Sequence, residues 1–126
     1  MSIWDELMPL GARVPLFIGI LNLTPDSFSD GGQFQAIGAA LAQARRLVDS
    51  GARMLDVGAE STRPGAEPVD PDAEWRRLEP VLASLRTEFP QVPLSLDTRH
   101  AETARRGLDA GVAVLNDVTG FSDSAL

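Results

Sequence analysis

The chain has 126 residues, a formal net charge of −7 and 44 % hydrophobic residues, which is enough apolar material for one small domain with a core. Its acidic pI near 4.5 argues against nucleic acid and anionic membranes as general partners, because no broad basic surface is available. The chain contains no cysteine, which excludes disulfides and thiolate metal sites and is compatible with the cytoplasm. The apolar run near the start is too short to span a bilayer. We therefore expect a cytoplasmic protein that does not enter a membrane.

Short apolar runs alternate with helical patterns along the chain, which is typical of a parallel βαβα sheet. We predict four strands, near 16–22, 53–58, 93–97 and 112–117. The first helix is predicted over about 34–49 and the third over about 100–109. The second is expected to begin at Asp70-Pro71, a capping residue followed by proline, and to stop before Pro90.

An internal echo supports this alternation. VDSGARMLD (48–56) and LDAGVAVLN (108–116) align without a gap, and each reads as a helix end, a glycine turn and a strand whose last residue is polar. Asp56 and Asn116 are therefore expected at the same end of the sheet. A repeated αβ unit favours a TIM (β/α)₈ barrel, of which this α/β chain covers roughly the first four βα units. A doubly wound open sheet remains an alternative.

Polar residues follow the predicted strands at the end where βα folds bind ligands. Asp97 ends an apolar strand, so its carboxylate needs a partner. That partner is either Arg99 or the start of the third helix, or else a ligand with a guanidine-like edge of N–H donors. His100 opens the third helix and is expected in a surface or capping role rather than as a base. Trp75 is expected to pack on the apolar face of the second helix.

The loop after the second strand reads ESTRPG. Ser61, Thr62 and Arg63 precede a Pro-Gly turn, and hydroxyls, backbone amides and a guanidinium together suit an anion. The alternative is a solvated turn in which Arg63 pairs with Glu60 or Glu67. For Asn22, at the end of the first strand, the alternative role is an Asx-turn.

Four motifs resemble those of dihydropteroate synthases, in the order in which the family has them. They lie in residues 19–32, containing NLTPDSFSDGG, and in GAESTRPG (58–65), SLDT (95–98) and LNDVTG (115–120). The resemblance covers almost the whole chain, so residues 1–126 are identified as the N-terminal half of a pterin-binding TIM-barrel domain. Ala59 departs from the usual GGEST, a change of one methyl group.

The resemblance implies a transferase of folate biosynthesis. Such an enzyme condenses p-aminobenzoate with 6-hydroxymethyl-7,8-dihydropterin diphosphate, giving 7,8-dihydropteroate and pyrophosphate. By the same resemblance, Asp97 and Asn116 bind the pterin, Thr62 contacts its diphosphate, and Arg63 binds the departing pyrophosphate. The family also assigns Mg²⁺ to Asn22 and the p-aminobenzoate pocket to Phe28 and Pro64. Asp30 lies in the same loop as Phe28, where it could approach the metal or a developing cation.

The resemblance also implies that part of the site is missing. The later half of the family's barrel supplies another aspartate, a lysine and an anion motif, and this chain has no lysine. We therefore expect the 126 residues alone to bind pterin weakly and not to turn over, and to self-associate through their open sheet. Complete members of the family form homodimers. The alternatives are the pterin-binding domain of a methyltetrahydrofolate-dependent methyltransferase and a truncated, non-catalytic paralogue.

Overall fold

The computed structural model describes residues 15–23, 33–60, 69–117 and 119–120, together with Ile3 and Leu7. Strands and helices alternate through these ranges, as the sequence predicted. The strands are β1 (Ile18–Asn22), β2 (Met54–Gly58), β3 (Leu94–Asp97) and β4 (Val114–Asn116). The helices are α1 (Gln33–Asp49), α2 (Pro71–Glu88) and α3 (Ala101–Asp109). None of these helices is long and apolar enough to cross a membrane.

The four strands form one parallel sheet in the order β1-β2-β3-β4. A doubly wound sheet reverses its strand order at a switch point and carries helices on both faces. The described strands show no reversal, and the helices pack against one face only. The doubly wound alternative is therefore wrong, and the arrangement is that of consecutive βα units in a barrel.

The core lies between the sheet and the helices. Alternate side chains of the strands point towards the helices, and the buried ones among them include Leu21, Val57 and Leu96. Each helix buries its own apolar stripe against them, led by Ala44 in α1 and by Leu78, Val81, Leu82 and Leu85 in α2. Trp75 is partly buried against this core, which confirms its predicted packing role.

The helix ends follow the signals read from the sequence. The Asp70 side chain accepts hydrogen bonds from the backbone N–H groups of Asp72 (3.1 Å) and Ala73 (3.4 Å), so it caps α2 as predicted. Gly51 and Gly111 follow α1 and α3 with φ of +111° and +99°, a conformation that glycine adopts without steric cost. These turns return the chain to β2 and β4.

The other face of the sheet has no helix against it among the described residues. Ile20 is 61 % exposed there and Ile18 46 %, although both lie in a strand that pairs along its length with β2. The outer edges of β1 and β4 have no partner strand in the described part of the chain. Apolar side chains and open strand edges of this kind promote association with other chains.

We predict that the isolated chain self-associates through this open face. Replacing Ile20 by serine removes exposed apolar surface from the face, so Ile20→Ser should lower the weight-average mass measured by sedimentation equilibrium. Leu108→Ser is the matched control, because Leu108 is 50 % exposed but lies on α3, away from the open face. Equal masses for the two variants, or a strictly monomeric parent chain, would contradict the prediction.

Candidate functional site

One row of residues crosses the whole sheet at its carboxyl edge. Asn22 pairs with Gly58, Gly58 with Asp97, and Asp97 with Asn116, so all four side-chain positions point to the same face. We call these four residues the rim row. The structure thus brings Asn22, Asp97 and Asn116 together, as the sequence predicted, on the face of the sheet that the helices leave open.

A second layer lies directly below the rim row. It consists of Ile20, Asp56, Ser95 and Val114, paired across the same strands. These four residues line a cavity of about 350 Å³ together with Asn116 of the rim row and three apolar residues, Ile18, Met54 and Leu115. The polar side chains that line it are Asp56, Ser95 and Asn116, and the remainder are apolar. Such a mixture suits a flat, partly polar ligand held by a few directed hydrogen bonds.

Asp97 is the acidic member of the rim row and has no hydrogen-bond or ion-pair partner among the described residues. Burial, followed by repulsion from Asp56, raises its pKa to about 6. A Cβ atom at Gly58 would lie 3.3 Å from Oδ2 of Asp97, so the absence of a side chain there leaves room for the carboxylate. An incompletely neutralised carboxylate at a strand end is typical of a ligand-binding group.

The two simpler roles considered for Asp97 are not observed. The residue at the N-cap position of α3 is His100 rather than Asp97, and the His100 side chain makes no capping hydrogen bond there. Arg99 turns to Glu60 instead, with Nε 2.6 Å from Oε1 and Nη2 3.3 Å from Oε2. Asp97 is therefore left as an acceptor on the open face of the sheet, without a partner among the described residues.

The Glu60 carboxylate also links the two described ends of the segment after β2. Oε2 of Glu60 accepts a hydrogen bond from the backbone N–H of Val69 at 2.7 Å, so one carboxylate joins the residues on either side of 61–68. Burial alone raises the pKa of Glu60, but the hydrogen bonds from Arg99 and Val69 outweigh burial and leave that pKa below its usual value. The predicted alternative of an Arg63–Glu60 pair involves Arg63, which lies outside the described residues.

Asp56 lies lower in the sheet than the internal echo predicted. Asn116 is the last residue of β4, but β2 continues for two residues beyond Asp56, to Gly58. The expectation that each copy ends in its polar residue is therefore wrong for Asp56, because the pairing of β2 with β1 and β3 extends through Gly58. Asp56 nevertheless reaches the site, since its Oδ2 accepts a hydrogen bond from Nδ2 of Asn116 at 3.1 Å.

A fully buried glutamate, which the sequence did not single out, supports the end of β3. Glu74 of α2 accepts hydrogen bonds from the hydroxyl groups of Thr98 (2.9 Å) and Thr103 (2.5 Å). Nδ1 of His100 lies 3.1 Å from Oε1 of Glu74, and the His100 side chain makes no capping hydrogen bond. His100 therefore ties α3 to α2, instead of capping α3 with its side chain. Thr98 in turn donates its backbone N–H to Asn116, which extends the β3–β4 pairing past Asp97.

The remaining predicted site residues lie outside the described residues. They are Phe28, Asp30, Ser61, Thr62, Arg63 and Pro64. The last described residues before these two segments are Leu23 and Glu60. Each follows a rim-row residue, Asn22 and Gly58 respectively, at the carboxyl edge of the sheet. Within the described ranges, no group of three or more histidine, aspartate or glutamate side chains gathers in a way that would hold a metal ion.

The raised pKa of Asp97 predicts a stability that depends on pH. Ionising Asp97 costs more in the folded chain than in the unfolded chain, so this cost develops as pH rises from the usual aspartate pKa of 3.8 through the folded-state pKa of about 6. We expect Asp97→Asn to raise the free energy of unfolding by about 1–2 kcal/mol above pH 6 and by little near pH 3, after allowance for solvent screening.

Urea denaturation at the two pH values measures this difference. Asp109→Asn removes an exposed carboxylate from the end of α3 and serves as the control, with a change within about 0.5 kcal/mol at both values. A loss of stability in Asp97→Asn above pH 6, or a gain that is equal at both pH values, would contradict the assigned environment of Asp97.

Comparisons with known proteins agree with this geometry. A dihydropteroate synthase from Synechocystis is 48 % identical over 103 residues, which are 82 % of this chain and 35 % of the relative. The crystal structure of a dihydropteroate synthase from Clostridium difficile with pteroic acid superposes with a TM-score of 0.81 at 46 % identity, over 88 % of this chain and 42 % of that one. A Xanthomonas albilineans dihydropteroate synthase with 4-aminobenzoic acid gives a TM-score of 0.79 at 44 % identity, over 89 % and 41 % of the two chains.

The chain thus spans less than half the length of these relatives. The structural match confirms that its four parallel strands correspond to the first βα units of a TIM barrel. The family model of pterin binding enzymes matches residues 18–126, which include every described strand and helix. The chain therefore belongs to the pterin binding enzyme family, and its relatives are dihydropteroate synthases.

Proposed function

We propose that this chain is the N-terminal half of a dihydropteroate synthase. The complete enzyme would join p-aminobenzoate to 6-hydroxymethyl-7,8-dihydropterin diphosphate and release pyrophosphate. The observation that carries the proposal is the rim row, in which Asp97, without a partner among the described residues, lies next to Asn116 above a cavity of about 350 Å³. Two of the relatives were solved in the presence of pteroic acid and with 4-aminobenzoic acid, molecules of the corresponding chemistry.

Asp97 and Asn116 would bind the pterin ring. A dihydropterin presents N–H donors from its aminopyrimidinone ring, and a carboxylate accepts two such donors side by side. Because the pKa of Asp97 is about 6, this carboxylate is mostly ionised at neutral pH and becomes mostly protonated below pH 6. Asn116 offers both a donor and an acceptor beside it, so the pair suits a heterocycle whose edge carries both.

The diphosphate would lie at the loops that follow β1 and β2. We propose that Thr62 contacts the diphosphate and that Arg63 binds the pyrophosphate as it departs, since a guanidinium holds phosphate oxygens in a bidentate manner. The contacts of Glu60 support this assignment. Its carboxylate accepts hydrogen bonds from Arg99 and from the backbone of Val69, so the two residues that flank the loop, Glu60 and Val69, are joined to each other. Phe28 and Pro64 would form walls of the p-aminobenzoate pocket.

A magnesium ion fits the described part of the site only as a metal shared with the ligand. No cluster of acidic side chains gathers there, and Asn22 is the rim-row residue at the end of β1. Mg²⁺ is commonly bound by one or two protein ligands together with substrate phosphates. Asn22 would supply the protein oxygen, with Asp30 nearby in sequence, and the metal when bound would neutralise phosphate charge.

Catalysis on this proposal consists of stabilising two opposite charges. The C–O bond to the diphosphate breaks, its electron pair leaves with pyrophosphate, and positive charge develops on the pterin. Asp97, and Asp30 from the first loop, would stabilise that cation, while Arg63 stabilises the anion. The amine of p-aminobenzoate then attacks the cationic carbon and loses a proton, so no nucleophile from the protein is needed.

The rest of the site would come from the part of the barrel that this chain does not contain. The complete protein would be cytoplasmic and homodimeric, as the family resemblance implies. A methyltetrahydrofolate-dependent methyltransferase domain has no observation of its own in its favour, and it enters only as the competing outcome of the ligand test.

We predict that the pure 126-residue chain forms no dihydropteroate, and that it prefers dihydropterin diphosphate with magnesium over methyltetrahydrofolate. Product formation is followed by mass spectrometry, and binding by calorimetry at high ligand concentration. Asp97→Asn should weaken pterin binding by about tenfold or more, because a charge-assisted hydrogen bond is lost, whereas Asp109→Asn should not.

Product from the mass-verified chain would contradict the expectation that half a barrel is inactive. Tighter binding of methyltetrahydrofolate would replace the synthase proposal by the methyltransferase alternative. Equal pterin binding by the parent chain and Asp97→Asn would remove Asp97 from the proposed site.

A further inference from the structure

Asp56 is a buried carboxylate that the proposed mechanism does not use. The residue is 7 % exposed and lies in the middle of β2, with its side chain in the cavity below the rim row. Its Oδ2 accepts the hydrogen bond from Asn116, but its Oδ1 is buried and has no hydrogen-bond partner among the described residues. Buried polar atoms are rarely left in this state, so Oδ1 needs a donor.

The contact with Asp56 fixes which way the Asn116 amide faces. The amide directs its NH₂ group, and not its oxygen, towards Asp56, because Nδ2 donates to Oδ2 and an amide oxygen cannot donate. The oxygen of Asn116 is then turned away from Asp56 and is available to accept a donor. The amide orientation follows from this chemistry rather than from the shape of the side chain.

The described residues around the cavity offer little to satisfy Oδ1. Apart from Asp56 and Asn116, the polar side chain that lines the cavity is Ser95, and its hydroxyl makes no hydrogen bond to Asp56. The other lining residues are apolar, including Ile20, Met54 and Val114. Oδ1 therefore has no donor among the described residues, and its position at the cavity suits an N–H donor from a bound ligand.

We propose that Asp56 is a specificity-determining residue that accepts an N–H group of the bound ligand through Oδ1 and orients Asn116 through Oδ2. This inference rests on the proposed pterin-binding function. Oδ1 of Asp56 and the Asn116 oxygen then form a set of acceptors at the cavity, with Asp97 paired beside Asn116 at the carboxyl edge of the sheet. Such a set selects a ring with several N–H donors and rejects a ring of similar shape that lacks them, because the buried Oδ1 of Asp56 would stay unpaired.

The proximity of the two carboxylates supports this arrangement. Repulsion from Asp56 is, after burial, the largest contribution that raises the pKa of Asp97, so the two groups interact across the site. A ligand that donates hydrogen bonds to both Asp56 and Asp97 relieves the repulsion between the two carboxylates. A ligand that presents an acceptor to Asp56 adds to the repulsion instead.

The test compares two small probes by protein-observed NMR. Isocytosine is the isolated aminopyrimidinone ring, and pyrimidin-4-one is the same ring without the amino donor. We expect the parent chain to bind isocytosine more tightly than pyrimidin-4-one, and Asp56→Asn to weaken isocytosine binding by about tenfold or more and to reduce the preference between the probes. Asp109→Asn makes the same chemical change at an exposed site and should bind as the parent chain does.

A second readout needs no ligand. The side-chain NH₂ resonances of Asn116 should move in Asp56→Asn and stay unchanged in Asp109→Asn, because only the first substitution alters the Asn116 contact. If Asp56→Asn fails to fold, Asp56→Ser removes the carboxylate with a smaller side chain and is read in the same way.

The outcomes separate this inference from the proposed function. Unchanged isocytosine affinity and unchanged Asn116 resonances in Asp56→Asn would overturn the role of Asp56 while leaving pterin binding intact. If neither isocytosine nor dihydropterin diphosphate bound to the parent chain, the proposed function would fail together with the inference. Loss of dihydropterin diphosphate binding in Asp97→Asn with unchanged binding in Asp56→Asn would overturn the inference alone.

Discussion

The in-register parallel pairing of four consecutive strands is the constraint on which the site depends. Parallel strands place paired residues on the same face, so the pairing of Gly58 with Asn22 and with Asp97 sets three positions at one level. The pairing of Asp97 with Asn116 adds the fourth. A shift of one residue in any strand would turn its polar side chain into the helix-facing core. The apolar packing of the helices therefore fixes the register, and the register fixes the geometry of the rim.

The carboxylates near the carboxyl edge of the sheet differ in whether they have hydrogen-bond partners. Glu60 has Arg99 and the Val69 amide, and Glu74 is enclosed by two threonine hydroxyls and His100. These two carboxylates tie loops and helices together behind the site. On the cavity side, Asp97 and one oxygen of Asp56 have no such partners among the described residues. The satisfied carboxylates serve the fold, and the unsatisfied ones face the space that a donor-rich ligand would occupy.

Local patterns in the sequence were sufficient to predict the strands and helices and part of the candidate site. The predicted strand ends at 22, 58 and 97 coincide with the observed ends, because each apolar run stops where a polar loop begins. The convergence of Asn22, Asp97 and Asn116 followed from the parallel topology alone. The contacts of Asp56, Glu60 and Glu74 could not be predicted in this way. The residues that these contacts join are separated in the sequence by 60 positions for Asp56, 39 positions for Glu60 and at least 24 positions for Glu74. Such contacts depend on strand register and helix packing, which no local pattern encodes.

The most direct test of the account is to map ligand contacts on the chain with backbone amide resonances. Dihydropterin diphosphate with magnesium is added to the labelled chain, and the shifted resonances are placed on the fold. The account predicts that the largest shifts fall on Asn22, Gly58, Asp97 and Asn116, across all four strands at one edge. Shifts centred instead on the groove between β1 and α1, at Ala39 and Gln43, would contradict it.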